Sequence, residues 1–122
     1  MTTETETYQE WAERVTRFRD CEICGSDAGE VHHIARGANK DRTRRELCAV
    51  LFVCRACHKQ VHEGMSVAEQ LAYLWLRRPL DFNAEAFWKL TGRVWPSLED
   101  ITAAHASLWV GINKRTSPRS GT

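Results

Sequence analysis

The chain has 122 residues, 17 basic against 16 acidic, with 43% hydrophobic and 27% charged side chains. That balance fits one soluble domain with a modest core and excludes disorder throughout. No apolar run is long enough to span a bilayer, and the N-terminal stretch is acidic and polar. Neither a membrane segment nor a secretory leader is expected, and a cytoplasmic location is. A net charge of +1 says little about partners, but its distribution says more. Glu4, Glu6, Glu10 and Glu13 precede any basic residue, whereas Arg36, Lys40, Arg42, Arg44 and Arg45 crowd one stretch against a single acid, Asp41. Lys114, Arg115 and Arg119 add charge near the end. Such a stretch suits a phosphate backbone, and a solvated loop looks similar.

In chain order, residues 7–19 read as a helix, opened by a capping box of Thr7 and Glu10, with Tyr8, Trp11, Val15 and Phe18 on one face. Cys24 to Asp27 is turn-like, with Gly25 free to take positive φ. Glu30 to Ala35 reads as a short strand, Arg36 to about Arg45 as a polar loop, and Leu47 to Val53 as a buried strand. The period turns helical from Arg55 to Glu63, with Gly64 as a stop. Three further helices follow. Ser66 and Glu69 open one that ends before Pro79; Asn83 caps one that runs to Thr91 with Gly92 beyond; Ser97 and Asp100 open the last, where Leu98, Ile101, His105, Leu108 and Ile112 share a face. The expectation is an α+β fold in one domain over residues 1–113, its core at 20–64 and a helical extension at 65–113, with a flexible basic tail at 114–122. The five tryptophans, Trp11, Trp75, Trp88, Trp95 and Trp109, read as core, an exposed base-stacking aromatic being the lesser option.

Five cysteines without a leader point away from disulfides. Four form matched pairs, Cys21-x2-Cys24 and Cys54-x2-Cys57, with 29 residues between the pairs and Cys48 left over. Two intervening residues let both thiolates of a pair reach one ion, and four sulfurs close a tetrahedral structural zinc site. Two matched pairs make four unrelated core thiols an improbable alternative.

Four of the five histidines lie between or just after these pairs. His58 and His62, four apart on a helix, share one face and suit a metal. His32 and His33 are neighbours on a strand, so they point to opposite sides. One can bind metal while the other approaches substrate from across the strand. His105 reads as an ordinary helix-face residue.

The segments Val31-His32-His33-Ile34 and Leu51 through His62, with its CxxCH-x3-H pattern, resemble the HNH nuclease motif in its zinc-bearing form. The resemblance covers about residues 20–63. It implies a ββα-metal core of two antiparallel strands and a helix around one catalytic divalent ion, here Mg2+, Mn2+, Ni2+ or Zn2+. It further implies His33 as general base, His32, His58 and His62 as ligands of that ion, and Cys21, Cys24, Cys54 and Cys57 as ligands of structural zinc. DNA is then the expected partner, contacted by Arg36, Lys40, Arg42, Arg44 and Arg45, and small proteins of this type are typical of phages and mobile elements. Histidine titrates near neutrality and can take a proton from water, while a metal acts as a Lewis acid on phosphate.

One position departs from the pattern. The family's central asparagine, which orients the general base, falls nine residues before His58, where this chain has Ala49. Cys48 and Asn39 are the nearby residues able to substitute. Two alternatives to a DNA endonuclease or nickase follow: a non-catalytic zinc module binding DNA or protein on the same scaffold, and a regulator docking through its C-terminal helices.

Overall fold

The computed structural model describes residues 6–36 and 39–120, with 112–120 as backbone only. Glu4 and the side chains of Ile112, Lys114, Arg115 and Arg119 lie outside the described residues. The order of elements is α1 (Tyr8–Thr16), β1 (Glu30–His33), α2 (Asn39–Arg42), β2 (Val50–Val53), α3 (Arg55–Gly64), α4 (Val67–Arg77), α5 (Ala84–Thr91) and α6 (Leu98–Ser120). The chain is thus mixed α+β, as composition and periodicity suggest. Among the described residues no helix is long and apolar enough to cross a membrane.

The two strands pair antiparallel, with Glu30 opposite Val53, Val31 opposite Phe52, His32 opposite Leu51 and His33 opposite Val50. All of β2 is buried. Ala49, Leu51 and Val53 belong to a core with Ile34, Leu71, Leu74, Phe87 and Ile101, so helices α4, α5 and α6 cover that side of the sheet. On the other side the Phe52 ring lies against the guanidiniums of Arg19 and Arg78, at 4.4 and 4.6 Å from its centroid.

The predicted caps form. Thr7 with Glu10 and Ser66 with Glu69 make reciprocal capping boxes on α1 and α4. Asn83 accepts from the Ala86 N–H, and Gly92 closes α5 in the left-handed region that glycine adopts without a Cβ penalty. Boundaries differ where a cap or tertiary contact outweighs local pattern. Helix α1 stops at Thr16, whose hydroxyl donates to the Ala12 carbonyl, and Phe18 then takes φ 62 with its ring fully in solvent. Phe18 is therefore off the apolar face assigned to it. The second strand starts only at Val50, because Leu47–Ala49 winds into a 3-10 turn, which places Cys48 in that turn. The basic loop holds the one-turn helix α2, with Thr43 fully buried beneath it. Gly64 is the last residue of α3 and Met65 its cap. Helix α6 carries helical backbone through Ser120, past the start of the expected tail.

Of the tryptophans only Trp11 is buried, Trp75 and Trp88 are half-buried, and Trp95 and Trp109 are exposed. Trp75 stacks between Phe82 and His105, with centroids 4.8 and 4.0 Å away, which gives His105 a packing role between α4 and α6.

Candidate metal centre and histidine pair

The two cysteine pairs converge. The ligand atoms of Cys21, Cys24, Cys54 and Cys57 all lie within 4.8 Å of one another. Each pair is shaped by its own backbone. Cys24 N–H points at the Cys21 sulfur and Cys57 N–H at the Cys54 sulfur, both at 3.5 Å. Gly25 takes φ 87 so that its N–H reaches the Cys21 carbonyl at 2.9 Å. Cys24 and Cys54 sulfurs stand 3.8 Å apart, which is the edge of a tetrahedron with arms of about 2.3 Å, the length of a zinc–thiolate bond. Hydrogen bonding from Ser26 lowers the Cys24 thiol to about 6, and the Cys57 N–H at the head of α3 lowers Cys54. Burial pushes the Cys57 thiol the other way. Donor type, number and spacing fit a metal such as zinc. Cys48 is half-buried outside this cluster.

The second cluster joins β1 to α3. Ligand nitrogens of His32, His58 and His62 lie within 4.8 Å of one another. Their ring centroids are 4.8 to 5.1 Å apart. Two polar neighbours fix which nitrogen of His32 and of His58 stays free. The Gln70 amide donates to the Met65 carbonyl at 2.9 Å, so its oxygen must face His32. That oxygen lies 2.7 Å from His32 Nε2, which therefore carries the proton and donates. His32 Nδ1 is left with a lone pair, buried and without a hydrogen-bond partner among the described residues. Likewise His58 Nδ1 donates to Glu30 at 2.7 Å, leaving Nε2 free. The bond to His58 is the main reason the Glu30 carboxyl titrates below its usual range. A carboxylate or amide behind a ligating imidazole is the usual support of a metal site. An orphaned buried nitrogen beside two more imidazoles fits a divalent ion.

His33 faces the opposite side of β1, toward α1 and the basic loop. Its Nε2 lies 3.2 Å from the Arg44 carbonyl and 3.1 Å from the Tyr8 hydroxyl. A carbonyl only accepts, so Nε2 carries the proton and Nδ1 the lone pair. Burial is the largest cause of a lowered His33 pKa, with Lys40 and Arg44 adding to it, so the ring is neutral at physiological pH.

The five basic residues are all exposed, and Arg36, Lys40 and Arg44 lie close enough to act on the rings of His62 or His33. Arg36 and Lys40 depress His62 after burial has done so. Arg44 and Arg45 are tied back to α1: the Arg44 guanidinium lies 4.3 Å over the Tyr8 ring, and Arg45 donates to the Glu6 carbonyl at 2.9 Å. Arg36, Lys40 and Arg42 form no ion pair among the described residues. No family model, curated protein or solved structure matches the chain.

Sequence reasoning missed Tyr8, Glu30 and Gln70. Glu30 had a signal, since it lies two residues before His32 and shares its side of the strand. Tyr8 and Gln70 had none, because they arrive from separate helices. Neither Cys48 nor Asn39 hydrogen-bonds to His33, so neither takes the place expected of it. Ala49 is fully buried in the core beside Leu51, on the His32 side of the sheet. An asparagine there would put an amide into apolar packing, not beside His33.

Burial takes the His32 pKa down to about 4, so the folded protein keeps this ring neutral while the unfolded chain protonates below about 6.5. Its stabilising contribution is complete above that value and is lost as pH falls toward 4. With no divalent ion added, lowering pH from 7.5 to 5.5 should remove roughly 1 kcal/mol. The urea midpoint is expected to fall more for the wild type than for His32→Leu. Equal falls would remove His32 as the cause.

Proposed function

We propose that the chain is a metal-dependent DNA endonuclease or nickase of the HNH type, with residues 20–64 as its ββα-metal core. The observation that carries this reading is the two-sided strand β1. One side presents His32, which meets His58 and His62 of α3 with one ring nitrogen of each within 4.8 Å of the others. The other presents a neutral histidine held at Nε2 with Nδ1 open.

In this reading Cys21, Cys24, Cys54 and Cys57 hold structural zinc, and His32, His58 and His62 hold the catalytic divalent ion. When bound, that ion supplies Lewis-acid stabilisation of charge on the scissile phosphate. His33 Nδ1 accepts the proton of the water that attacks phosphorus, while the bond from phosphorus to one sugar oxygen breaks and that oxygen leaves, taking a proton from solvent. The Arg44 carbonyl and Tyr8 hydroxyl keep the ring oriented and stabilise the imidazolium as it forms, work that a side-chain amide would otherwise do. Arg36, Lys40 and Arg42 attract the flanking phosphates.

The test is a plasmid nicking assay with magnesium, manganese, nickel or zinc added. The wild type is expected to cleave, and His33→Ala to lose about a hundredfold or more with DNA affinity unchanged. Failure of the wild type to cut with any of these ions would leave a zinc-stapled binding module instead. Neutralising Arg36, Lys40 and Arg42 together should weaken DNA binding and reduce the slope of log affinity against log salt by about 2–3. An unchanged slope would reduce this stretch to a solvated connection.

A further inference from the structure

Beside the histidine cluster lies a cavity of about 370 Å³ that the metal chemistry does not use. Ile34, Phe87 and Val67 form its apolar wall, and the first two are only 1% and 2% exposed. Trp95 stands at the rim, half its surface in solvent, with the Arg93 guanidinium 5.4 Å from its ring centroid. Arg36 lines the same cavity. No carboxylate lines it, and among the described residues neither arginine forms an ion pair. Arg36 follows His33 by three residues, at the end of β1.

We infer that this cavity binds one unpaired nucleotide, its base against Trp95 and the apolar wall and its phosphate on Arg36 and Arg93. The walls call for an apolar body, the exposed indole for a flat one, and the two unpaired cations for an anion. A nucleotide joins all three, and aromatic platforms beside cationic side chains are how single strands are held. A base inside a duplex stays stacked, whereas a pocket this size takes a single base out of the stack. The inference rests on the nuclease reading for choosing a nucleotide over other flat anions. It adds to that reading a substrate preference for unpaired DNA next to the cleaved bond.

The experiment follows tryptophan fluorescence of the full chain, without added divalent ion, on titration with 2′-deoxyadenosine 5′-monophosphate. Saturable quenching is expected in the wild type, none in Trp95→Leu, and at least tenfold weaker binding in Arg36→Gln and Arg93→Gln. All three side chains are exposed, and circular dichroism checks that the variants fold. No saturable quenching, or quenching that survives all three substitutions, would overturn the inference. In parallel, cleavage of a single-stranded oligonucleotide is compared with cleavage of its duplex. Nucleotide binding without cleavage of either DNA would keep the pocket and remove the nuclease. Equal cleavage of both DNAs by wild type and Arg93→Gln, without quenching, would keep the nuclease and remove the pocket.

Discussion

Cys57→Ser is expected to abolish the folded state, with zinc falling from about one ion per chain to none. Cys57 and Cys21 are 6% and 2% exposed and sit in the main core. Four thiolates cannot be packed this closely without a cation, and burial alone drives the Cys57 thiol toward its protonated form. An ion that binds only the assembled site contributes its binding free energy to folding, about 10–16 kcal/mol for thiolate zinc sites. A domain's whole stability is about 5–15 kcal/mol. A zinc ion bound here would therefore decide whether the fold exists at all, because the four-cysteine site joins the loop after α1 to the start of α3. Metal analysis and a circular-dichroism melt check this, with Cys48→Ser as the control that keeps both zinc and melting temperature. A Cys57→Ser protein with a wild-type melt would show that the ion is not structural.

Arg78→Met is expected to cost about 3–5 kcal/mol, the typical penalty for stranding one partner of a buried ion pair, and to lower the melting temperature by roughly 10–20 °C. Arg78 and Glu22 are 9% and 6% exposed, and Arg78 Nε donates to Glu22 Oε2 at 2.6 Å. The same guanidinium donates to the Leu47 and Val50 carbonyls and to Asp81. Glu22 also accepts the Phe52 N–H at 3.0 Å. Removing the arginine leaves a carboxylate in the interior with one backbone donor. Glu22→Gln keeps an acceptor for Phe52 without the charge, so Glu22→Gln/Arg78→Met should lose less than the two single losses added. Strict additivity in urea unfolding would show that the pair does not act as a unit.

The sequence disclosed those parts whose signal is local. Matched cysteine spacing, the histidine pair on α3, four capping motifs and opposite orientation on β1 all follow from a few consecutive residues, and each has its counterpart in the structure. What depended on distant segments was not legible. Glu22 sits between two cysteines, where nothing local marks it for burial, yet it is buried against Arg78, which arrives from the end of α4. Tyr8 reads as one stripe residue among several, yet its hydroxyl meets a ring 25 positions on. The tryptophans failed for a related reason: helical period shows that a side of a helix is apolar, not whether a neighbour covers it. Trp109 on α6 is exposed, and Trp95 lines a cavity.

The pairing of His32 with Leu51 and His33 with Val50 also bears on how the chain can vary. Adjacent residues of a strand alternate sides, so losing or gaining one residue in β1 would exchange the two imidazoles: His33 would turn toward α3 and His32 toward Tyr8. Both rings would still be present, each with the other's neighbours and the wrong nitrogen protonated. Substitutions along β1 therefore fail one residue at a time, whereas a single insertion or deletion disables both sides together. Changes in length after His33 leave that alternation within β1 intact, and a library of one-residue deletions across residues 28–46 would trace the boundary.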